Sequence, residues 1–124
     1  MTKGRILYIE DNKINMDIIR KNLEFWEYEL IAEFDGAQGV STAAREKPDL
    51  ILVDINLPDV DGVQIIRTLK ATSSLTAIPV VALTADATNE NRKTCIDAGA
   101  NGFLVKPINR RELLKTLQDL LLEK

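Results

Sequence analysis

Five polar residues able to bind a cation or take part in group transfer stand where short apolar segments of the sequence end. They are Glu10, Asp11, Asp54, Thr84 and Lys106. Carboxylates bind hard cations and act as nucleophiles, whereas a hydroxyl and an ammonium group bind anions. Each residue alone has an ordinary explanation, because acids and threonines after strands are usually turn formers or helix caps. Their shared position at segment ends is what favours a common site.

Charge limits the chemistry that such a site could perform. Its three carboxylates and one lysine leave a net charge of −2, which either raises the carboxyl pKa values or requires a cation. The sequence contains no histidine and a single cysteine, Cys95. Serine or cysteine catalysis through histidine and the usual zinc ligand sets are therefore excluded. All-oxygen ligation favours Mg²⁺, with Mn²⁺ as the alternative.

Length and composition set the class of protein. The 124 residues are enough for one domain, which we place at 1–124, and too few for two cores. A hydrophobic share of 45%, a charged share of 28% and a formal charge of −3 indicate a globular chain and argue against disorder and nucleic-acid binding. The longest clean apolar run, 78–83, is far shorter than the roughly 20 residues of a membrane span. Because one cysteine forms no internal disulfide, we expect a soluble, cytoplasmic protein.

Short β-branched segments alternate with longer helical patterns along the whole chain. Five segments predict strands: Arg5–Ile9, Glu29–Glu33, 50–53, 79–83 and Gly102–Val105. The third and fourth are apolar without alternation, as expected of strands covered on both faces. This order is typical of repeated βαβ units with a parallel sheet. Since parallel strands end at one edge of their sheet, the five polar residues are expected to meet there.

The helical segments carry apolar residues three and four positions apart. The expected buried stripes are Met16, Ile19, Leu23 and Trp26 in the first helix, Ala37, Val40 and Ala44 in the second, Ile65, Ile66 and Leu69 in the third, and Leu113, Leu117, Leu120 and Leu121 in the fifth. The fourth helix, Asn89–Ala98, is mostly polar and ends at Gly99. Asn109 and Glu112 form a capping pattern at the start of the fifth helix.

Together these motifs resemble the receiver domain of two-component response regulators. The resemblance rests on Glu10-Asp11, on Asp54-Ile55-Asn56-Leu57-Pro58 with Asp61-Gly62, on Thr84-Ala85, and on Phe103 three residues before Lys106-Pro107. It covers essentially the whole chain, and the motifs follow one another in the family's order. The resemblance implies a flavodoxin-like (βα)5 fold, a three-layer α/β sandwich whose five parallel strands have the order 2-1-3-4-5.

The same resemblance implies roles for the polar residues at the strand ends. Asp54 would be the phospho-acceptor, whose carboxylate attacks the phosphorus of a partner's phosphohistidine. Asp11, Asp54 and the backbone carbonyl of Asn56 would hold Mg²⁺, and Glu10 would act through bound water. Positioning and charge neutralisation would supply most of the catalysis.

Further residues of the motifs are implied to bind the phosphoryl group and report its presence. Thr84, Ala85 and Lys106 would contact the phosphoryl oxygens. Thr84 and Phe103 would form the switch, although a phenylalanine on a strand is also ordinary core.

The lifetime of the acyl phosphate is implied to depend on a further pair. Asn56 and Asp86 would border the route of the hydrolytic water.

The implied function is a signalling module and not an enzyme, beyond catalysing its own phosphorylation and slow autodephosphorylation. Its partners would be a histidine kinase or histidine phosphotransfer protein and a downstream protein, with the chain a monomer or weak dimer. A stand-alone response regulator and the receiver of a hybrid histidine kinase both remain open. The alternative function is a pseudo-receiver that binds partners without phosphorylation. A metal-dependent phosphatase is disfavoured, because Asn56 stands where a second acid is expected.

Overall fold

Residues 3–122 are described by the computed structural model of the protein. Five strands and five helices alternate along them. The strands are β1 (Arg5–Ile9), β2 (Glu29–Glu33), β3 (Leu50–Asp54), β4 (Val80–Thr84) and β5 (Gly102–Val105). The helices are α1 (Lys13–Phe25), α2 (Gly36–Glu46), α3 (Gly62–Ala71), α4 (Asn89–Ala98) and α5 (Arg110–Leu122). The alternation predicted from the sequence is confirmed.

The strands form one parallel sheet in the order β2-β1-β3-β4-β5, which confirms the expected topology. Every residue of β3 and β4 is buried, as their unbroken apolar sequences predict. Both strands end one residue later than the predicted 50–53 and 79–83. Asp54 and Thr84 are therefore the last residues of their strands and are held by the sheet itself.

Two hydrophobic cores lie on opposite faces of the sheet. In β1, Ile6 and Tyr8 face the core under α1 and α5, whereas Leu7 and Ile9 face the core under α2, α3 and α4. This alternation follows from the pleat of the strand, which turns successive side chains to opposite faces. The result is a three-layer α/β sandwich whose site edge is formed by the carboxyl ends of the strands.

The sequence pattern predicted the wrong buried face for α2. Ala37 and Ala44 are exposed, and only Val40 of the expected stripe is partly buried. The buried residues of this helix are Gly36, Gly39, Thr42 and Ala43. A Cβ atom at Gly39 would lie 2.4 Å from Cδ1 of Ile9, so the helix approaches the sheet closely at this glycine. Glycine contributes no hydrophobic signal, which is why the sequence pattern favoured the alanines.

Each helix begins with a side chain that accepts a hydrogen bond from its first turn. The caps are Asn12 for α1, Asp35 for α2, Asp61 for α3, Thr88 for α4 and Asn109 for α5. The predicted cap of α5 is confirmed, because Asn109 Oδ1 accepts from the backbone N–H groups of Arg111 and Glu112 at 2.9 and 3.1 Å. Within residues 3–122, no helix has the length and apolar character that a membrane span requires.

Candidate functional site

The edge of the sheet brings together the five polar residues found in the sequence. Asp54 and Thr84 end β3 and β4, Glu10 and Asp11 follow β1, and Lys106 follows β5. One carboxylate oxygen each from Glu10, Asp11 and Asp54 lies within 4.8 Å of the others. Lys106 Nζ is 3.1 Å from Glu10 Oε1 and 3.2 Å from Asp54 Oδ2. Four of the five groups therefore form one charged cluster.

Glu10 lies at the buried end of this cluster, with only 1% of its surface exposed. Its Oε1 accepts a hydrogen bond from the Tyr8 hydroxyl at 2.8 Å, and its Oε2 accepts one from Asn12 N–H at 3.3 Å. Burial raises the pKa of Glu10, and the neighbouring Asp54 carboxyl raises it further. The two hydrogen bonds from Tyr8 and Asn12 lower this pKa without cancelling the rise. The Glu10 carboxyl therefore binds a proton more readily than an exposed glutamate does.

Lys106 supplies positive charge to the cluster. Burial by itself lowers the pKa of Lys106, but the charges of Asp54 and Glu10 outweigh burial and raise the pKa above its usual value. The amine is therefore an ammonium group at neutral pH. The pKa of Tyr8 is also raised, first by burial and then by the charge of Glu10, so its hydroxyl remains a donor.

The donor set of the cluster fits a hard divalent cation. The ligand atoms offered by Glu10, Asp11 and Asp54 are all oxygens, which suits Mg²⁺ or Mn²⁺ and not a thiolate- or imidazole-seeking metal. With Lys106 included, the ionised groups carry a net charge of −2, which one divalent ion neutralises. Asp11 is exposed, so an ion held there would keep contact with water.

The Asp54 side chain is fixed by contacts on both of its oxygens. Asn56 N–H donates to Asp54 Oδ1 at 3.0 Å, and Lys106 lies against Oδ2. The loop after Asp54 packs closely on the start of α3, since Gly62 N–H donates to the Ile55 carbonyl at 3.1 Å. A Cβ atom at Gly62 would lie 2.5 Å from Ile55 Cα and 2.7 Å from the Asp54 carbonyl oxygen. Glycine at this position lets the loop take its path.

Thr84 lies at the same edge but outside the charged cluster. Its hydroxyl oxygen accepts hydrogen bonds from Asp86 N–H at 3.0 Å and from Asn91 Nδ2 at 3.4 Å. Asp86 is exposed, and its Oδ1 accepts from Thr88 N–H at 3.0 Å. Hydrogen bonds from Thr88 lower the pKa of Asp86. The Asp86 carboxylate thus has a local role in closing the loop between β4 and α4, and Ala85 in that loop is exposed.

Residues 6–118 match the family model of the response regulator receiver domain. The chain is a response regulator receiver domain. It is 35% identical over 121 residues to the polar-differentiation response regulator DivK of Brucella ovis, and the match covers 98% of both chains. The family that the motifs indicated is thereby confirmed.

Solved structures agree with the fold of this receiver domain. Chemotaxis response regulator CheY4 of Vibrio cholerae superposes with a TM-score of 0.90 at 29% identity, covering 97% of this chain and 100% of that one. The receiver domain of sensor histidine kinase PA1611 from Pseudomonas aeruginosa has a TM-score of 0.88 at 37% identity, covering 95% and 97%. That structure has a magnesium ion coordinated in its active-site cleft. Receiver domains are signalling modules that bind Mg²⁺ at such acidic sites and interact with histidine kinases or phosphotransfer proteins.

Phe103 lies apart from the charged cluster of the receiver domain. Its half-buried ring packs against the core on β5, with the Arg92 guanidinium carbon 5.4 Å from the ring centroid. This cation–π contact was not predictable from the sequence, because Arg92 stands on a polar helix with many exposed charges.

Tyr8 and Asn91 also contact the site, but neither was predicted from the sequence as a site residue. A signal existed for Tyr8, because it stands two residues before Glu10 in the extended segment, and alternate residues of a strand share a face. A buried tyrosine also needs a partner for its hydroxyl. No comparable signal marked Asn91, whose contact with Thr84 depends on the path of the loop between β4 and α4.

Proposed function

We propose that this receiver domain takes a phosphoryl group onto Asp54 from a phosphohistidine of a histidine kinase or histidine phosphotransfer protein. The observation that carries the proposal is the buried Asp54 carboxylate, which has Lys106 at 3.2 Å and two further carboxylates within 4.8 Å. Such a cluster supports Asp54 as the nucleophile, Lys106 as a fixed cation and the carboxylates as a set of oxygen ligands. The output is a change in protein–protein contacts, and we propose that it takes place in the cytoplasm.

In the transfer step, a carboxylate oxygen of Asp54 forms a bond to phosphorus while the bond between phosphorus and the donor imidazole breaks. The imidazole leaves with the electron pair and takes up a proton. Asn56 N–H holds the attacking carboxylate in position, and the Lys106 ammonium pairs with the incoming phosphoryl charge. Thr84 and Ala85 bind phosphoryl oxygens at the neighbouring strand end.

The residues that would hold Mg²⁺ are Asp11, Asp54 and the backbone carbonyl of Asn56, with Glu10 acting through a water molecule. The ion supplies charge neutralisation for the phosphoryl group. The buried position of Glu10 supports an indirect role, because its oxygens already accept from Tyr8 and Asn12.

Exposed apolar side chains beside the site support docking of a protein donor. Ile14 and Ile18 on α1 are 71% and 54% exposed. Ile18 also lines a cavity of about 150 Å³ whose wall includes Lys106, Pro107 and Ile108. An apolar surface next to a phosphoryl-accepting carboxylate suits a protein that presents its phosphohistidine from a helix face.

Two finer features complete the proposal. Thr84 and Phe103 report the phosphoryl group to the surface formed by α4, β5 and α5.

Asn56 and Asp86 set the lifetime of the acyl phosphate. Both are exposed, and they follow the neighbouring strand ends at Asp54 and Thr84 by two residues, which supports their access to water near the site.

The test is phosphorylation of the full chain by acetyl phosphate with Mg²⁺, followed by intact-mass measurement. We expect one added phosphoryl group that hydroxylamine removes. Asp54→Asn should abolish the adduct, whereas Asp119→Asn, an exposed carboxylate near the end of α5, should leave it unchanged. An adduct that survives Asp54→Asn contradicts the assignment of the acceptor. No adduct in the unmodified chain would favour the pseudo-receiver alternative.

A further inference from the structure

Asn91, in the first turn of α4, contacts the site without a part in the proposed phosphoryl transfer. Its side-chain Nδ2 donates to the Asp86 backbone carbonyl at 2.9 Å and to Thr84 Oγ1 at 3.4 Å. A carbonyl oxygen only accepts hydrogen bonds, so the amide nitrogen has to face Asp86. This requirement fixes the orientation of the whole amide and turns a donor toward Thr84.

The contacts of Thr84 decide what its hydroxyl can still do. A hydroxyl oxygen has two lone pairs that accept and one hydrogen that it donates. Asp86 N–H and Asn91 Nδ2 occupy the two accepting positions. In the part of the chain that the structure describes, no hydrogen bond is donated by this hydroxyl. Thr84 is therefore left with its hydrogen free, which is the form that binds an anion.

Asn91 is itself held in place by the loop that it closes. Its backbone N–H donates to Thr88 Oγ1 at 3.2 Å, and Thr88 N–H donates to Asp86 Oδ1 at 3.0 Å. The buried residues of α4 are Cys95 and Ala98, both in its second half. The start of α4 is therefore attached to the sheet edge through these polar contacts and not through a hydrophobic face.

We propose that Asn91 is a positioning residue that presets Thr84 as a hydrogen-bond donor to the phosphoryl group on Asp54. This inference rests on the proposed function, because that phosphoryl group is the acceptor it assigns to Thr84. Without the Asn91 amide, one lone pair of Thr84 is unfilled and the hydroxyl can rotate to other partners. Fixing a donor before the reaction lowers the reorganisation that the transition state requires.

The variants Asn91→Ala and Asn91→Asp test this role. Alanine removes the donor, and aspartate replaces it with an acceptor that would draw the Thr84 hydrogen away from the phosphoryl group. We expect alanine to slow phosphorylation by acetyl phosphate with Mg²⁺ about two- to tenfold, the range of one neutral hydrogen bond, and aspartate to slow it more. The matched control is Asn89→Ala in the same helical turn. Asn89 is exposed, and within residues 3–122 its side chain makes no hydrogen bond.

A double-mutant cycle with Thr84→Val separates positioning from loop stability. Valine keeps the shape of threonine and lacks the hydroxyl, so Asn91→Ala should have no further effect on the rate in that background. An equal slowing in both backgrounds would overturn the proposal and assign Asn91 to the Asp86 contact alone. An unchanged rate in Asn91→Ala would overturn it as well.

Failure of the proposed function would be seen differently, as the absence of a phosphoryl adduct on the unmodified chain. Urea unfolding of the same four proteins needs no phosphodonor. It should show coupling between Asn91 and Thr84 of about two- to tenfold in the unfolding equilibrium constant. Zero coupling there would overturn the Asn91–Thr84 contact itself, whatever the outcome of phosphorylation.

Discussion

Replacement of Gly62 by alanine should destabilise the receiver domain, against the usual preference of helices for alanine. Gly62 is the first residue of α3, where alanine normally gains up to about 1 kcal/mol over glycine. The added Cβ would lie 2.5 Å from Ile55 Cα and 2.7 Å from the Asp54 carbonyl oxygen. Carbon atoms in contact are ordinarily about 3.5–4.0 Å apart. The backbone must therefore move by about 1 Å.

That movement is costly because the backbone around Ile55 is fixed on two sides. Ile55 N–H donates to the Leu83 carbonyl at 2.9 Å, and the Ile55 carbonyl accepts from Gly62 N–H. Overpacking of this kind costs roughly 1–3 kcal/mol. Because the contacted atoms belong to the backbone and cannot rotate away, this variant should lie in the upper part of that range, above the helix-propensity gain. We expect a net loss of about 1–2 kcal/mol. That corresponds to a melting temperature lower by roughly 4–10 °C.

Urea unfolding measures the free energy directly, and Gly102→Ala is the matched control. A Cβ at Gly102 would meet side-chain atoms of Val81 and Thr116 at 3.3 and 3.4 Å, so this variant should stay within about 0.5–1 kcal/mol of the parent. A Gly62→Ala chain as stable as the parent would refute the reasoning. Mg²⁺ affinity should fall with stability, because the displaced backbone carries Asp54. Unchanged affinity would show that α3 moves instead of the loop.

Three further predictions concern separate parts of the molecule. Asp11→Ala should weaken Mg²⁺ binding by about tenfold or more in calorimetric titration. Substitution of the exposed Asp119 by alanine should leave the affinity unchanged. Equal affinities in the two variants would show that Asp11 is not a ligand. Gly39→Ala should lower the free energy of unfolding by about 1–3 kcal/mol, because the added methyl group clashes with Ile9. Adding Ile9→Val to this variant should recover part of the loss. If the effects of the two substitutions simply add, the clash is not the cause. Burial raises the pKa of Cys95, so ionisation favours the unfolded chain and stability should fall as pH rises through about 8.5. In urea unfolding at a series of pH values, Cys95→Ala should show a smaller fall in unfolding free energy above that pH. An identical fall in both proteins would show that Cys95 is not its cause.

The sequence predicted those parts of the receiver domain that depend on periodicity and strand order. Alternating segments predicted five strands and five helices, and the ends of parallel strands placed Glu10, Asp54 and Lys106 together. Those placements required no knowledge of side-chain packing. Strand ends were one residue off at Asp54 and Thr84, because the last ladder hydrogen bonds depend on neighbouring strands and not on local pattern.

Features that depend on close approach were not predictable in the same way. The inner face of α2 is set by the fit of Gly39 against Ile9, which hydrophobicity does not record. The Asn91 contact with Thr84 depends on how a loop folds back on itself. Both are determined by three-dimensional packing between segments whose sequences carry no mark of it.

The caps of the five helices bear on whether the domain could bind free phosphate, and so on the proposed phosphorylation. Proteins that bind phosphate from solution commonly offer it the N–H groups at a helix N-terminus. Here the side chains of Asn12, Asp35, Asp61, Thr88 and Asn109 each accept a hydrogen bond from one or two of those groups. Under the proposed function, retention of a phosphoryl group would depend on its bond to Asp54, on Lys106 and on an added cation. We therefore expect the domain to respond to covalent transfer of a phosphoryl group and to bind inorganic phosphate only weakly.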